Sequence, residues 1–209
     1  MMSILLLLFI ILAVGGLVYS ISSSRSQAKK NSKAAEAAPE LIIENVRAGG
    51  VIGLSGVGPA VEDFDLVVKS RHVYDEDGFL WYDLECERGA ETVWIGIEDD
   101  DELKVWLSLK KLDLEELGLA PDALRGFEKK SKGKIVFDGR SFRYNDCGRA
   151  IFYKDGSRAH GEKLRYWDFE TKDGAYSLGI EEWGKGKYAV YFSESLRPSQ
   201  ITVYGLSGD

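Results

Sequence analysis

The chain has 209 residues, with 34 Asp and Glu against 27 Lys and Arg, a formal net charge of −7, and 44% hydrophobic and 11% aromatic side chains. That much apolar material excludes a disordered chain, and an acidic surface repelled by phosphate backbones excludes nucleic acid as an expected partner. Cys86 and Cys147 lie far apart with no CxxC and no His-rich spacing, which excludes the usual zinc patterns and reads as two free thiols in a reducing compartment.

Ile4 to Ile21 is an apolar run without a charge, followed closely by Arg25, Lys29, Lys30 and Lys33. Eighteen residues at about 1.5 Å each reach roughly 27 Å, near the hydrocarbon thickness of a bilayer, so residues 1–24 are read as one transmembrane helix. A cleaved signal peptide would carry a basic start, which Met1, Met2 and Ser3 do not supply. Basic residues placed only after the span predict a single-pass protein of the cell membrane with its C-terminal domain in the cytoplasm. Residues 25–39, rich in Ser, Ala and Lys and ending at Pro39, read as a tether.

Residues 40–209 form the expected folded domain. With the four tether cations set aside, 23 basic residues face 34 acidic ones, a balance of −11 for residues 36–209. The glycines at 49, 50, 53, 56 and 58 lack both Gly-Lys-Ser and Gly-x-Gly-x-x-Gly and read as a hairpin with tight turns, not a phosphate loop. Runs of β-branched and aromatic residues then predict strands at Phe64 to Tyr74 and Phe79 to Glu87 around an Asp75–Gly78 turn, and a hairpin of Thr92 to Glu98 with Glu102 to Lys110. Leu112, Leu114, Leu117 and Leu119 predict a short connecting helix before Pro121. Further strands are expected at Phe142 to Tyr144, Ala150 to Tyr153, Leu164 to Thr171, Tyr176 to Trp183, Tyr188 to Ser193 and Ile201 to Tyr204.

These elements echo one another. Trp81-Tyr82-Asp83-Leu84-Glu85 is answered by Tyr166-Trp167-Asp168-Phe169-Glu170, Gly96-Ile97-Glu98 by Gly179-Ile180-Glu181, and Val105-Trp106-Leu107-Ser108 by Val190-Tyr191-Phe192-Ser193. The same order with small spacing changes implies a duplicated unit. The fold class expected is mainly β, α+β at most: two similar hairpin-rich units, approximately 45–120 and 134–205, packed as one body, plus the N-terminal transmembrane helix.

The entrance Asn45-Val46-Arg47-Ala48-Gly49-Gly50-Val51-Ile52, Tyr74 followed by Asp77-Gly78, the Trp81-x-Asp83-Leu84-Glu85 strand and the Trp94-Ile95-Gly96-Ile97-Glu98 strand resemble the bacterial domain of unknown function 4178 family. At Tyr82-Asp83 the chain departs from the Glu-Tyr pair that the family pattern favours. The resemblance implies a bacterial domain without an established activity, found in membrane-stress neighbourhoods, and carries over no catalytic residues.

Strand alternation puts Asp83 and Glu85 on one face with Trp81, and Asp168 and Glu170 on one face with Tyr166. Two such faces brought together supply acid-base groups or ligands for a divalent cation; left apart they are wet, with Tyr82, Leu84, Trp167 and Phe169 facing a core. Trp81, Trp94, Trp106, Trp167 and Trp183, with the ten tyrosines, are candidates to line a ligand groove for a sugar or peptide. The acidic run Glu98 to Glu102 reads as a hairpin tip, and His72 and His160, without a Ser or Cys elbow, read as ordinary strand or surface histidines. No catalytic constellation and no cofactor motif is present. The function expected is a membrane-anchored binding or adaptor module that holds a protein partner near the bilayer. The alternatives are a metal-dependent or acid-base enzyme using the paired carboxylates and a structural sensor of a membrane complex.

Overall fold

The computed structural model of the protein describes residues 39–184 and 186–207. Its first half is a meander of β1 (Gly49–Val57), β2 (Glu62–Glu76), β3 (Phe79–Arg88), β4 (Glu91–Asp99) and β5 (Leu103–Leu112). A connector holds a 3-10 turn at Leu114–Leu117 and the helix α1 (Pro121–Lys130). The second half repeats the meander as β6 (Lys134–Phe137), β7 (Arg140–Tyr153), β8 (Gly161–Thr171), β9 (Tyr176–Trp183) and β10 (Lys187–Leu196), and β11 (Ile201–Ser207) follows.

These strands form one antiparallel sheet in the order β11-β1-β2-β3-β4-β5-β10-β9-β8-β7-β6, and β2 also pairs with β7. The second pairing closes β2 to β5 and β7 to β10 into an eight-stranded ring. Two seams join the halves. One runs between β5 and β10 from Val105 opposite Leu196 to Leu112 opposite Val190. The other is the short β2–β7 contact, Val73 opposite Tyr153, Tyr74 opposite Phe152 and Asp75 opposite Ile151. Along the same edge of β2, β1 takes the earlier residues, with Val51 opposite Val67.

Period-two alternation gives each half one apolar face. In the first half Ile52, Leu54, Leu66, Leu84, Ile95 and Ile97 form a core. In the second, Phe142, Trp167, Phe169, Leu178 and Ile180 form another, joined by Leu124 of α1. Each such side chain removed from water contributes about 1.5–3 kcal/mol. The remaining faces of the two halves turn toward each other inside the ring.

The long strands β2 and β7 serve both a core and the ring interior. In β2 the register against β3 shifts between Val68 and Ser70, and in β7 the register against β8 shifts between Tyr144 and Asp146. One extra residue inverts the alternation: Leu66 and Val68 are in the core, whereas His72 and Tyr74, of the same parity, stand opposite Asp83 and Trp81 on the other face. Likewise Phe142 belongs to the second core, and Asp146 stands opposite Asp168.

The structure corrects the sequence reading in several places. Residues 1–24 and most of the tether lie outside the described residues, and among the described residues no helix is long and apolar enough to cross a membrane. The α-helix present, α1, has ten residues, about 15 Å of the roughly 30 Å needed, and carries Asp122, Arg125, Glu128, Lys129 and Lys130. The described residues therefore form a mainly β fold with one short α-helix, and the transmembrane helix expected from the sequence is not among their elements. Pro121 starts that helix instead of ending one, because a first-turn residue needs no N–H and proline's fixed φ suits the position. The segments at Phe142 to Tyr144 and Ala150 to Tyr153 are one bulged strand, and the glycine-rich stretch is strand β1.

Leu84→Ala in the first core and Phe169→Ala in the second are each expected to cost about 2–5 kcal/mol. Because both cores lie on one continuous sheet, each variant moves a single urea transition followed by circular dichroism, and two separable transitions would contradict the shared sheet.

Candidate functional site

The ring encloses a cavity of about 710 Å³. Its walls are built from corresponding positions of the two halves. Trp81 and Asp83 of β3 answer Tyr166 and Asp168 of β8; Glu98 of β4 answers Glu181 of β9; Trp106 of β5 answers Tyr191 of β10. Trp94, Trp183, Phe152 and Tyr74 complete an aromatic lining.

Glycine makes room for the central carboxyls. Gly96 lies opposite Asp83 in the β3–β4 ladder, and Gly179 lies opposite Asp168 in the β8–β9 ladder. A Cβ at Gly96 would stand 3.4 Å from Asp83 Oδ1, and one at Gly179 3.5 Å from Asp168 Oδ1. A Cβ would make ordinary contact with each carboxyl, and only a longer side chain would compete with it for the lumen, so the glycines leave that space open.

Asp83, Asp168 and Glu181 are half-buried, and all three line the cavity. Burial pushes Asp83 up to about 6, opposed by the Tyr74 hydroxyl, which donates to Asp83 Oδ2 at 2.9 Å, and by nearby His72. Burial, then the negative charge of Asp83, raises Glu181 to about 7, although the Trp183 indole N–H donates to it at 2.9 Å. Asp168 rises to about 8, from burial first and then from Glu181, Glu98, Asp146 and Glu170. Among the described residues no hydrogen-bond donor reaches the Asp168 carboxyl. The cationic side chains of the lining are engaged: Lys104 pairs with Glu98 at 3.4 Å, and Lys111 Nζ lies 5.6 Å from the centre of the Tyr191 ring.

Aromatic contacts pack the β2–β7 side of the cavity. Tyr74 stacks on Trp81 at 5.2 Å, Trp81 meets Tyr166 edge-on at 5.5 Å and Phe152 meets Trp183 at 5.1 Å. The Tyr166 hydroxyl donates to Glu76 Oε2 at 2.5 Å, crossing from β8 to β2 over Gly148, where any Cβ would collide with the Glu76 carboxylate. His72 stands behind this wall, 2% exposed. Its Nδ1 accepts the Asp155 backbone N–H at 3.1 Å, which leaves the proton on Nε2, 3.3 Å from Glu85 Oε2. With both nitrogens engaged and its ring stacked on Trp94 at 5.4 Å, His72 is a wall residue.

Of the candidates read from the sequence, Asp83 and Asp168 come together on one cavity with Trp81, Trp94, Trp183 and Glu170, whose carboxylate accepts from Asn145 at 3.2 Å. Glu85 turns to His72 instead. Trp167 is 1% exposed in the second core, because Tyr166 holds the position of Trp81. Trp106, also a groove candidate, lines the cavity too, whereas Tyr191, Glu98 and Glu181 line it and were not singled out as site residues. Their signal was the repeat: both glutamates follow the matched Gly-Ile pair, and Trp106 matches Tyr191. Glu98 borders the lumen while Asp99 to Glu102 are the exposed tip. Among the described residues no three His, Cys, Asp or Glu side chains are grouped to hold a metal ion. Cys86, buried in the first core, and Cys147 are free thiols.

The family model described as a domain of unknown function (DUF4178) matches residues 61–198. Uncharacterised proteins of Mycobacterium bovis and Mycobacterium tuberculosis are each 24% identical, with 84% of this chain and 80% of theirs covered. No solved structure gives a significant match.

Asp83, Glu181 and Asp168 hold their protons more tightly folded than unfolded, so the folded state carries extra protons from about pH 4 to about pH 8 and loses stability as pH rises through that window. Thermal unfolding between about pH 6 and pH 8.5 should show a falling Tm in the wild type and a shallower fall in Asp168→Asn, with the variant more stable at about pH 8 by on the order of 1–2 kcal/mol. A wild-type Tm that climbs over this range would contradict the assignment.

Proposed function

We propose a role in binding for a chain that belongs to the DUF4178 family: the protein takes up a small molecule in the lumen between its two repeats. The observation that carries this reading is the cavity itself. Its size falls within the roughly 300–1,000 Å³ of small-molecule sites, and it combines extended aromatic walls with a few inward-facing polar groups. Keeping Asp83, Asp168 and Glu181 inside the ring lowers stability, and an interior built only for stability would be apolar there.

Binding is favoured over catalysis by the lack of a paired nucleophile and base in the lining. His72, the histidine beside the lumen, has both nitrogens committed to Asp155 and Glu85, and no serine or cysteine of the lining is paired with a base. The ligand is read as a small molecule instead of the protein partner expected from the sequence, because the recognition groups line a concave cavity of small-molecule size.

A panel of amines, carboxylates, sugars and neutral aromatics tests this by thermal shift and by the fluorescence of the lumen tryptophans. At least one class should raise the Tm of the wild type, since a ligand at a hundred times its Kd adds about 2.7 kcal/mol. Ser108→Trp, which fills the lumen, should abolish that response, and Ser177→Trp serves if the first variant does not fold. Equal responses from a folded lumen-filled variant, or none from the wild type to any class, would refute the reading.

A further inference from the structure

The chemistry of the lumen narrows its occupant. Six carboxylates line it, Asp83, Glu98, Asp146, Asp168, Glu170 and Glu181, against the two lysines already described. An anion is repelled by this excess. A bare divalent ion needs several carboxylates within one coordination sphere, and the described residues offer no such group. A neutral sugar donates hydrogen bonds but leaves the negative charge uncompensated in an enclosed space.

Two further observations point the same way. The Asp168 carboxyl, at the centre of the β8 wall, has no donor from the described residues, so one side of its hydrogen bonding is left for an occupant. The tryptophan and tyrosine rings of the same lining attract positive charge through their quadrupoles, as the Lys111 ammonium over Tyr191 and the Lys104 ammonium 6.0 Å from the centre of the Trp106 ring already do. Resting on the reading of the lumen as a small-molecule site, we propose that its ligand is an organic ammonium cation, with the charged nitrogen against Asp168 and the carbon stem on the tryptophan faces.

Proton linkage supports this assignment. Near neutral pH in the empty lumen Asp168 holds its proton, Glu181 shares in holding one and Asp83 is mostly ionised, and an entering cation displaces the retained protons, so affinity rises with pH from about 6 to about 8.5. The other groups facing them are Glu98, Asp146 and Glu170, the ammonium groups of Lys104 and Lys111, the hydroxyls of Tyr74, Tyr166 and Tyr191, and His72 behind the wall. The tyrosines are held protonated by burial and by these carboxylates.

Isothermal titration calorimetry at about pH 8 with benzylammonium and with benzyl alcohol, its uncharged isostere, separates charge from shape. The ammonium compound should bind the wild type at least about tenfold more tightly, releasing protons when two buffers of different ionisation heat are compared. Asp168→Asn should bring the two affinities to within about twofold, by weakening the ammonium compound far more than the alcohol. Ser108→Trp should bind neither. An alcohol that binds as tightly as the ammonium compound, or a charge preference that survives Asp168→Asn, overturns the cation assignment while small-molecule binding stands. Binding of a sugar or carboxylate from the wider panel, with none of the ammonium compound, does the same. No binding by any compound of the panel overturns both.

Discussion

One extra residue in each of two strands decides what this sheet can do. If the alternation of β2 ran unbroken from Leu66, the ring interior would receive the side chains that follow the opposite phase, and Tyr74 would not reach Asp83. The bulges after Val68 and Tyr144 let a single strand give its first part to an apolar core and its second part to a polar chamber. Since each half has one bulge in its second strand, the chamber receives comparable walls from both sides, and the tie from Tyr74 to Asp83 and the crossing of Tyr166 to Glu76 both depend on that change of phase.

The energetic balance follows from this division. Two cores of Leu, Ile, Val and Phe supply the stability, and the chamber spends part of it on carboxyls that ionise reluctantly. Hydrogen bonds from Tyr74 and Trp183 offset some of the cost at Asp83 and Glu181, but not at Asp168. The paired glycines Gly96 and Gly179 show the same priority, giving up a packed side chain in mid-strand to leave space for an acid.

Much of this was readable in the residues, and the rest was not for definite reasons. Alternation at Trp94 to Glu98 and Leu164 to Thr171 gave strands, and the echo between Trp81-x-Asp83 and Tyr166-x-Asp168 gave the two central acids. A bulge leaves no mark in composition, so the joining of β7 across Tyr144 and Asp146, and with it the ring, needed coordinates. Trp167 was misplaced because the aromatic pair is inverted between the repeats, Trp81-Tyr82 against Tyr166-Trp167, so that matching by residue type pointed to the wrong face. Glu98 was hidden in an acidic run whose other members are solvated, and Pro121 carries the same letter whether a helix stops or starts there. The apolar start of the chain gave a strong hydropathy signal, yet the described fold contains no helix able to carry it out.

The ring is fastened unequally. Seven paired positions join β5 to β10, whereas three join β2 to β7, and the residues after β7 reach back to β2 mainly through side chains, with Arg158 on Asp75 and Ser70 on Asp155. Parting the shorter join breaks few backbone bonds and leaves the two large cores covered, so what holds it is the small cluster of Tyr74, Ala150 and Leu164 packed at that seam. Rings stacked beside it, Tyr74 on Trp81 and Phe152 against Trp183, latch that flank with side chains where the backbone ladder is shortest.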